Sequence, residues 1–163
     1  MKPGVGFWLT TVGFDAYWTL AILWRERGIP LLLAGAMLAL ILTPIRLRKW
    51  VLLAALIGIA MDALWCHLGI LKFTGQTGVP LWMGALWLTF SCWLYFLLNR
   101  IKLTAKIVAL LGAITGPLAY VLGWKLNAMT PQIAPEIMIP ILALAWAIYL
   151  PGVSWPLLRR RIE

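Results

Sequence analysis

Six apolar runs divide the chain, separated by short polar or basic links. They cover about residues 5–24, 29–45, 50–71, 81–98, 107–124 and 135–157. At about 1.5 Å per helical residue, runs of this length suit a hydrocarbon layer about 30 Å thick. The pattern predicts an all-α, polytopic membrane bundle of six transmembrane helices, with 1–163 as a single transmembrane domain. The first run follows Lys2, as a signal peptide would. It contains Asp15, however, and ends in Leu23-Trp24 rather than in a small-residue cleavage site. It is therefore predicted to be a retained span.

The links carry the expected punctuation. Arg25-Glu26-Arg27-Gly28 stops the first run, and Pro30 falls in the first turn of the second, where a missing N–H costs nothing. Residues 72–80 hold Gly75, Gly78 and Pro80, a loop composition. Pro151 and Pro156 are expected to break the end of the sixth run. Links this short make consecutive helices antiparallel neighbours.

Composition changes the solvent rather than the pattern. Of 163 residues, 63% are hydrophobic and 12% charged, against about 45–50% and about 25% in soluble domains. No soluble fold of this length hides so much apolar surface. The net charge is +9, but the cations cluster at the ends of apolar runs. They read as topology signals and lipid anchors, with no nucleic-acid partner. With six spans, one side carries Lys2, Arg46, Arg48, Lys49, Arg100, Lys102, Lys106 and Arg159 to Arg161. The other carries Arg25, Arg27, Lys72 and Lys125. This bias of ten to four predicts cytoplasmic N- and C-termini (N-in/C-in).

The candidate chemistry gathers between Met61 and Trp87. Asp62 is an acid inside an apolar run, where a charge costs about 2.5–3.5 kcal/mol on insertion scales and needs a partner. Ala54, Gly58, Asp62 and Cys66 recur every four residues, a small-residue stripe that turns Asp62 toward another helix. Asp15, between Thr11 and Thr19, is the second intramembrane acid. Both acids are expected roughly 15–18 Å along their helices, deep enough to meet. A polar cluster in the outer half is expected from Asp62, Asp15, His67, Trp82, Trp87, Tyr120 and Lys125. A structural role for the acids, specifying packing through hydrogen bonds, stands beside the functional one. Gly58, Gly112, Gly116 and Pro117 are assigned to helix packing. Asp62, Cys66 and His67 diverge around a helix, and there is no second histidine, so neither a metal nor a cofactor is expected. Cys66 and Cys92 are read as buried free thiols.

Several segments carry a resemblance: Gly58-x-x-x-Asp62-Ala63-Leu64, Gly69 to Phe73, Pro80-Leu81-Trp82-Met83 through Phe90, and Gly116-Pro117-Leu118-Ala119-Tyr120-x-x-Gly123. On these segments the chain resembles DUF2878, small bacterial multi-pass membrane proteins of unknown function. The resemblance implies an integral inner-membrane protein without an established activity. It carries the expectation of an accessory role in membrane-lipid modification or envelope stress.

Three function classes follow. The preferred one is a non-catalytic protein that binds membrane lipids or a membrane partner, a second copy of the chain included. A small proton-coupled transporter using Asp62 and Asp15 is the first alternative. An intramembrane lipid-modifying enzyme is the second, and it lacks a nucleophile–base pair beyond the isolated Ser91.

Overall fold

The computed structural model describes residues 4–159, without the side chain of Arg159. Six helices follow the six apolar runs: α1 (Val5–Trp24), α2 (Ile29–Leu42), α3 (Ile45–His67), α4 (Leu81–Arg100), α5 (Ala105–Lys125) and α6 (Pro135–Arg159). A 3-10 turn, Arg25–Gly28, joins α1 to α2. Two three-residue strands complete the chain, β1 (Leu71–Phe73) and β2 (Met129–Pro131), paired antiparallel with Lys72 opposite Thr130.

Four helices, α3 to α6, are long and apolar enough to cross a membrane. The chain is a multi-pass membrane protein, and four of the six expected spans meet this measure. The second helix ends at Leu42 rather than Ile45, because Pro44 holds Thr43 extended (φ −71°, ψ 130°). Its 14 residues extend only about 21 Å. The first helix has 20 residues, but Asp15 and its threonines dilute its apolarity.

Two further expectations change. Residues 46–49, read as a basic link, belong to the opening of α3, so Arg46, Arg48 and Lys49 ride on the helix. Arg48 donates back to the Thr43 and Ile41 carbonyls at the end of α2. The sixth helix runs unbroken through Pro140, Pro151 and Pro156. In a membrane, neighbouring helices supply the hydrogen bonds that proline removes. Tyr95 of α4 also donates to the Val153 carbonyl at 2.5 Å, which ties the proline-bearing segment to α4. The cations Lys2, Arg160 and Arg161 lie outside the described residues.

The fourth helix is the axis of the bundle. It packs against α1, α2, α3 and α6. Of its membrane-spanning window 61% is buried, against 33–39% in the other three. The α5–α6 pair is the closest, because Gly112 and Gly116 let the backbones meet. A Cβ on Gly112 would lie 2.5 Å from the Trp146 carbonyl oxygen, and one on Gly116 would overlap the Trp146 ring. Pro117 is buried in the same turn.

Three links meet at one end of the bundle and form a polar cap. Arg25 donates to the Asn127 carbonyl at 2.5 Å, and Thr74 Oγ1 donates to the same oxygen at 2.7 Å. Trp82 Nε1 and Gln76 Nε2 both donate to Glu26 Oε1, at 3.2 and 3.4 Å. The α1–α2, α3–α4 and α5–α6 links therefore share one end. Residues 72–80, expected to be only a loop, begin with the β1 strand, which ties α3–α4 to α5–α6.

Candidate functional site

Asp62 is fully buried in the middle of the helical core. Its Oδ2 accepts from Trp87 Nε1 of α4 at 2.7 Å, and its Oδ1 accepts from Tyr120 Oη of α5 at 2.5 Å. Three helices thus converge on one carboxyl group. The convergence depends on Gly58, one turn before Asp62, where a Cβ would overlap the Trp87 ring. Tyr149 of α6 donates to the Ala54 carbonyl at 2.9 Å, one turn earlier still. The small-residue stripe on α3 is therefore the seat for aromatic side chains from three other helices.

Those aromatics form a continuous block. Trp87 stacks on Trp146 with centroids 5.4 Å apart and planes at 20°. Tyr149 meets both indoles edge-on, as Phe90 does. Edge-to-face and offset contacts of this kind add about 0.5–1.5 kcal/mol each beyond area burial. Ser91, the serine singled out above, is buried and donates to the Trp87 carbonyl, which steadies the same turn.

The block floors a cavity of about 470 Å³ between α1, α4, α5 and α6. This lies within the range of small-molecule sites, about 300–1,000 Å³. Seven of its lining residues are aromatic: Phe14, Trp18, Trp87, Phe90, Trp93, Tyr120 and Trp146. Among its lining residues, those exposed to the outside come from α1 (Asp15, Thr19) and α5 (Thr115, Leu118, Leu122). The mouth therefore opens sideways between α1 and α5, toward the lipid. Above it the Arg25–Asn127 hydrogen bond links the ends of these two helices. On the other side of the mouth Phe14 stacks on Trp93 at 4.8 Å, and Trp93 Nε1 donates to Thr11 at 3.3 Å.

The residues expected to form one outer cluster do not all come together. Asp62, Trp87 and Tyr120 come together. Asp15 lines the cavity at its mouth, exposed, whereas Asp62 lies behind the lining residues Trp87 and Tyr120, and no hydrogen bond joins the two acids. Trp82 belongs to the polar cap, buried edge-on against Phe73 and bonded to Glu26. Lys125 is exposed and lies over the Trp124 ring at 4.5 Å. His67 is exposed at the end of α3. Cys92 is buried and Cys66 half-buried, both as free thiols. Sequence reasoning did not assign Phe14, Trp93 or Trp146 to the site. Nothing in their spacing separates them from the other aromatics of so tryptophan-rich a chain.

No curated protein and no solved structure matches the chain. A family model described as a protein of unknown function (DUF2878) matches residues 7–152. That match takes in Asp62, its two donors, the cavity walls and the polar cap together. On its length, and with the membrane helices to support it, the chain belongs to the DUF2878 family.

Proposed function

We propose that this protein is a non-catalytic, lipophile-binding protein of the bacterial inner membrane. It forms one membrane domain and takes its ligand from the bilayer through the gap between α1 and α5. The observation that carries this reading is the cavity itself. It is walled by aromatic rings, and its exposed lining residues belong to the two helices that flank a lateral opening. A site loaded from water would open at the polar cap instead. Asp62 serves the floor as a structural group: both of its oxygens accept from side chains that line the cavity.

The orientation follows from charge. The cap end carries Arg25, Arg27, Lys72 and Lys125. The opposite end carries Arg46, Arg48, Lys49, Arg100, Lys102 and Lys106, joined by Lys2 and Arg159 to Arg161 of the sequence. The positive-inside rule puts the cap outside and both termini in the cytoplasm, with α1 and α2 completing six crossings. A periplasm-active reporter fused to the C-terminus should be silent, and activity there would reverse the orientation.

The binding reading is tested by filling the cavity. Ala119 lines it from α5 and is half-buried. Wild-type protein extracted in mild detergent should retain a bound lipophile in native mass spectrometry, and Ala119→Trp should lose it at unchanged fold. Equal retention by both proteins would refute the reading. One observation favours a second, a proton-coupled carrier: Asp15 places a carboxyl at the mouth of the chamber that Tyr120, the donor to Asp62, helps to floor. Loss of substrate flux in Asp15→Asn with ligand binding intact would favour the carrier.

A further inference from the structure

The chemistry of the ligand can be narrowed, and the argument rests on the binding reading above. The cavity mouth carries a carboxyl group for which the chain brings no partner. Asp15 is exposed there. Thr19 Oγ1 donates to its backbone carbonyl at 2.8 Å, and among the described residues its carboxylate takes part in no hydrogen bond or ion pair. The side chain is nonetheless turned to the cavity. At about 100° per residue, Phe14, Trp18, Ile22, Asp15 and Thr19 follow one another around α1 over an arc of about 140°. All five line the cavity, and Asp15 falls between Ile22 and Thr19. Across the mouth, Thr115 likewise falls between the lining residues Leu122 and Ala119 of α5.

The two groups stand level. The first and fifth helices both end at the cap. From Val5 to Asp15 and from Ala105 to Thr115 the distance is the same, about 15 Å along each helix. That is the middle of α5, a membrane-crossing helix, where an unpaired carboxylate is costly and ordinarily has a partner. Every lysine and arginine of the described residues lies in a link or near a helix end. Neither this chain nor a second copy of it therefore brings a cation to this level.

The rest of the mouth points the same way. Thr19 and Thr115 commit their hydroxyl hydrogens to the Asp15 and Leu111 carbonyls, so they offer a ligand lone pairs. An ionised carboxylate adds acceptors alone. Deeper in, the Trp87 and Tyr120 donors serve Asp62, and Trp93 serves Thr11. A protonated amine is the complement of such a mouth, with three donors and no acceptor. Aromatic rings such as Trp18, on the same face of α1 as Asp15, add attraction for a cation. The ammonium of a phospholipid is held at the membrane surface by its own phosphate, whereas a single-chain amine has no such anchor.

We propose that the cavity takes a single-chain lipophilic amine. Its ammonium pairs with the Asp15 carboxylate between α1 and α5, with the Thr19 and Thr115 hydroxyl oxygens as further acceptors, and its chain lies inward along the aromatic walls. The claim concerns binding alone.

The test uses full-length protein in phosphatidylcholine nanodiscs, with tritiated dodecylamine as the probe and scintillation proximity as the readout. Nanodiscs without protein are the blank. Dodecylamine should bind saturably. Dodecanol, which keeps the chain under a neutral head, should displace it about tenfold less well than unlabelled dodecylamine does, because a hydrogen bond to a charged group outweighs a neutral one by about that factor. In Asp15→Asn dodecylamine should bind about tenfold more weakly, so that the difference between the two compounds closes. Equal displacement by the two compounds in the wild type would overturn the amine assignment without relying on any variant, and so would an undiminished preference in Asp15→Asn. If dodecylamine does not saturate while another lipophile is retained by the wild type and lost in Ala119→Trp, the amine inference falls and the binding reading survives. If nothing is retained in either protein, both fall.

Discussion

The two walls of the cavity are built differently. On one side α4, α5 and α6 interlock: α4 buries eleven of its residues, and the glycines of α5 admit Trp146 against its backbone. On the other side α1 buries only Ala21 and Ile22, both near its end. A few side-chain contacts hold the rest of α1 in place. Phe14 stacks on Trp93, Trp93 donates to Thr11, and Tyr17 donates to the Leu32 carbonyl of α2 at 2.6 Å. The contrast assigns the roles. A wall made by backbone contact and a buried carboxylate keeps the binding surface fixed. A wall hung on rings and single hydrogen bonds can yield to an entering molecule, since elements with few buried contacts are the ones that open locally.

The largest effect should come from attacking the fixed wall. Gly116→Leu places a branched side chain where the Trp146 ring already lies. Overpacking of this kind costs about 1–3 kcal/mol and sometimes more. Here the upper end is expected, because the obstacle is a ring held by four aromatic neighbours. A thermal scan in detergent should show a clear loss of stability. An unchanged transition would mean that α5 and α6 are not locked together through this glycine.

Next is the carboxylate. Asp62→Leu leaves Trp87 and Tyr120 as buried donors without an acceptor, at about 1–3 kcal/mol. Asp62→Asn is a sharper probe, because the two donors differ. An indole N–H can only donate, whereas a phenol can also accept. The asparagine carbonyl can face Trp87 while its amide donates to Tyr120. Near-wild-type stability is expected for Asn and a marked loss for Leu. If Asn is as damaging as Leu, the negative charge itself holds the cluster.

Much of the fixed wall was legible in the sequence. Ala54, Gly58 and Asp62 recur every fourth residue, and a small stripe with one acid has a single physical use in a membrane: another helix must come close and bring donors. The Gly112-x-x-x-Gly116 face was readable on the same ground. The partners were not. Trp146 and Tyr149 look like any other aromatics in an apolar run, and only the folded chain shows that Tyr149 reaches α3 and that Trp146 stacks on Trp87. That Asp15 and Asp62 do not meet could not be read from depth alone, since depth says nothing about which direction a side chain takes. The β1–β2 ribbon was invisible because three residues per strand give no period to detect. The α6 prolines misled because their penalty is a rule for isolated helices in water.

The smallest effect, and the most specific to the yielding wall, concerns Arg25. Its guanidinium donates to the Asn127 carbonyl, joining the end of α1 to the end of α5 above the cavity mouth. Its backbone has φ 47° and ψ −123°, a conformation that a side chain disfavours and glycine accepts readily. The two properties can be separated. Arg25→Ala removes the link and keeps the strained backbone, and should cost about 1 kcal/mol, the net worth of one such hydrogen bond. Arg25→Gly removes the link and the strain together. Relief of a sparsely populated conformation is worth on the order of 1 kcal/mol, so its stability should return close to that of the wild type. If the link closes the mouth, both variants should exchange a bound lipophile faster than the wild type, by a similar factor, although only one of them is less stable. Faster exchange in Arg25→Ala alone would show that exchange follows general loosening of α1. Unchanged exchange in both would place the moving part of that wall elsewhere, at the Phe14–Trp93 contact.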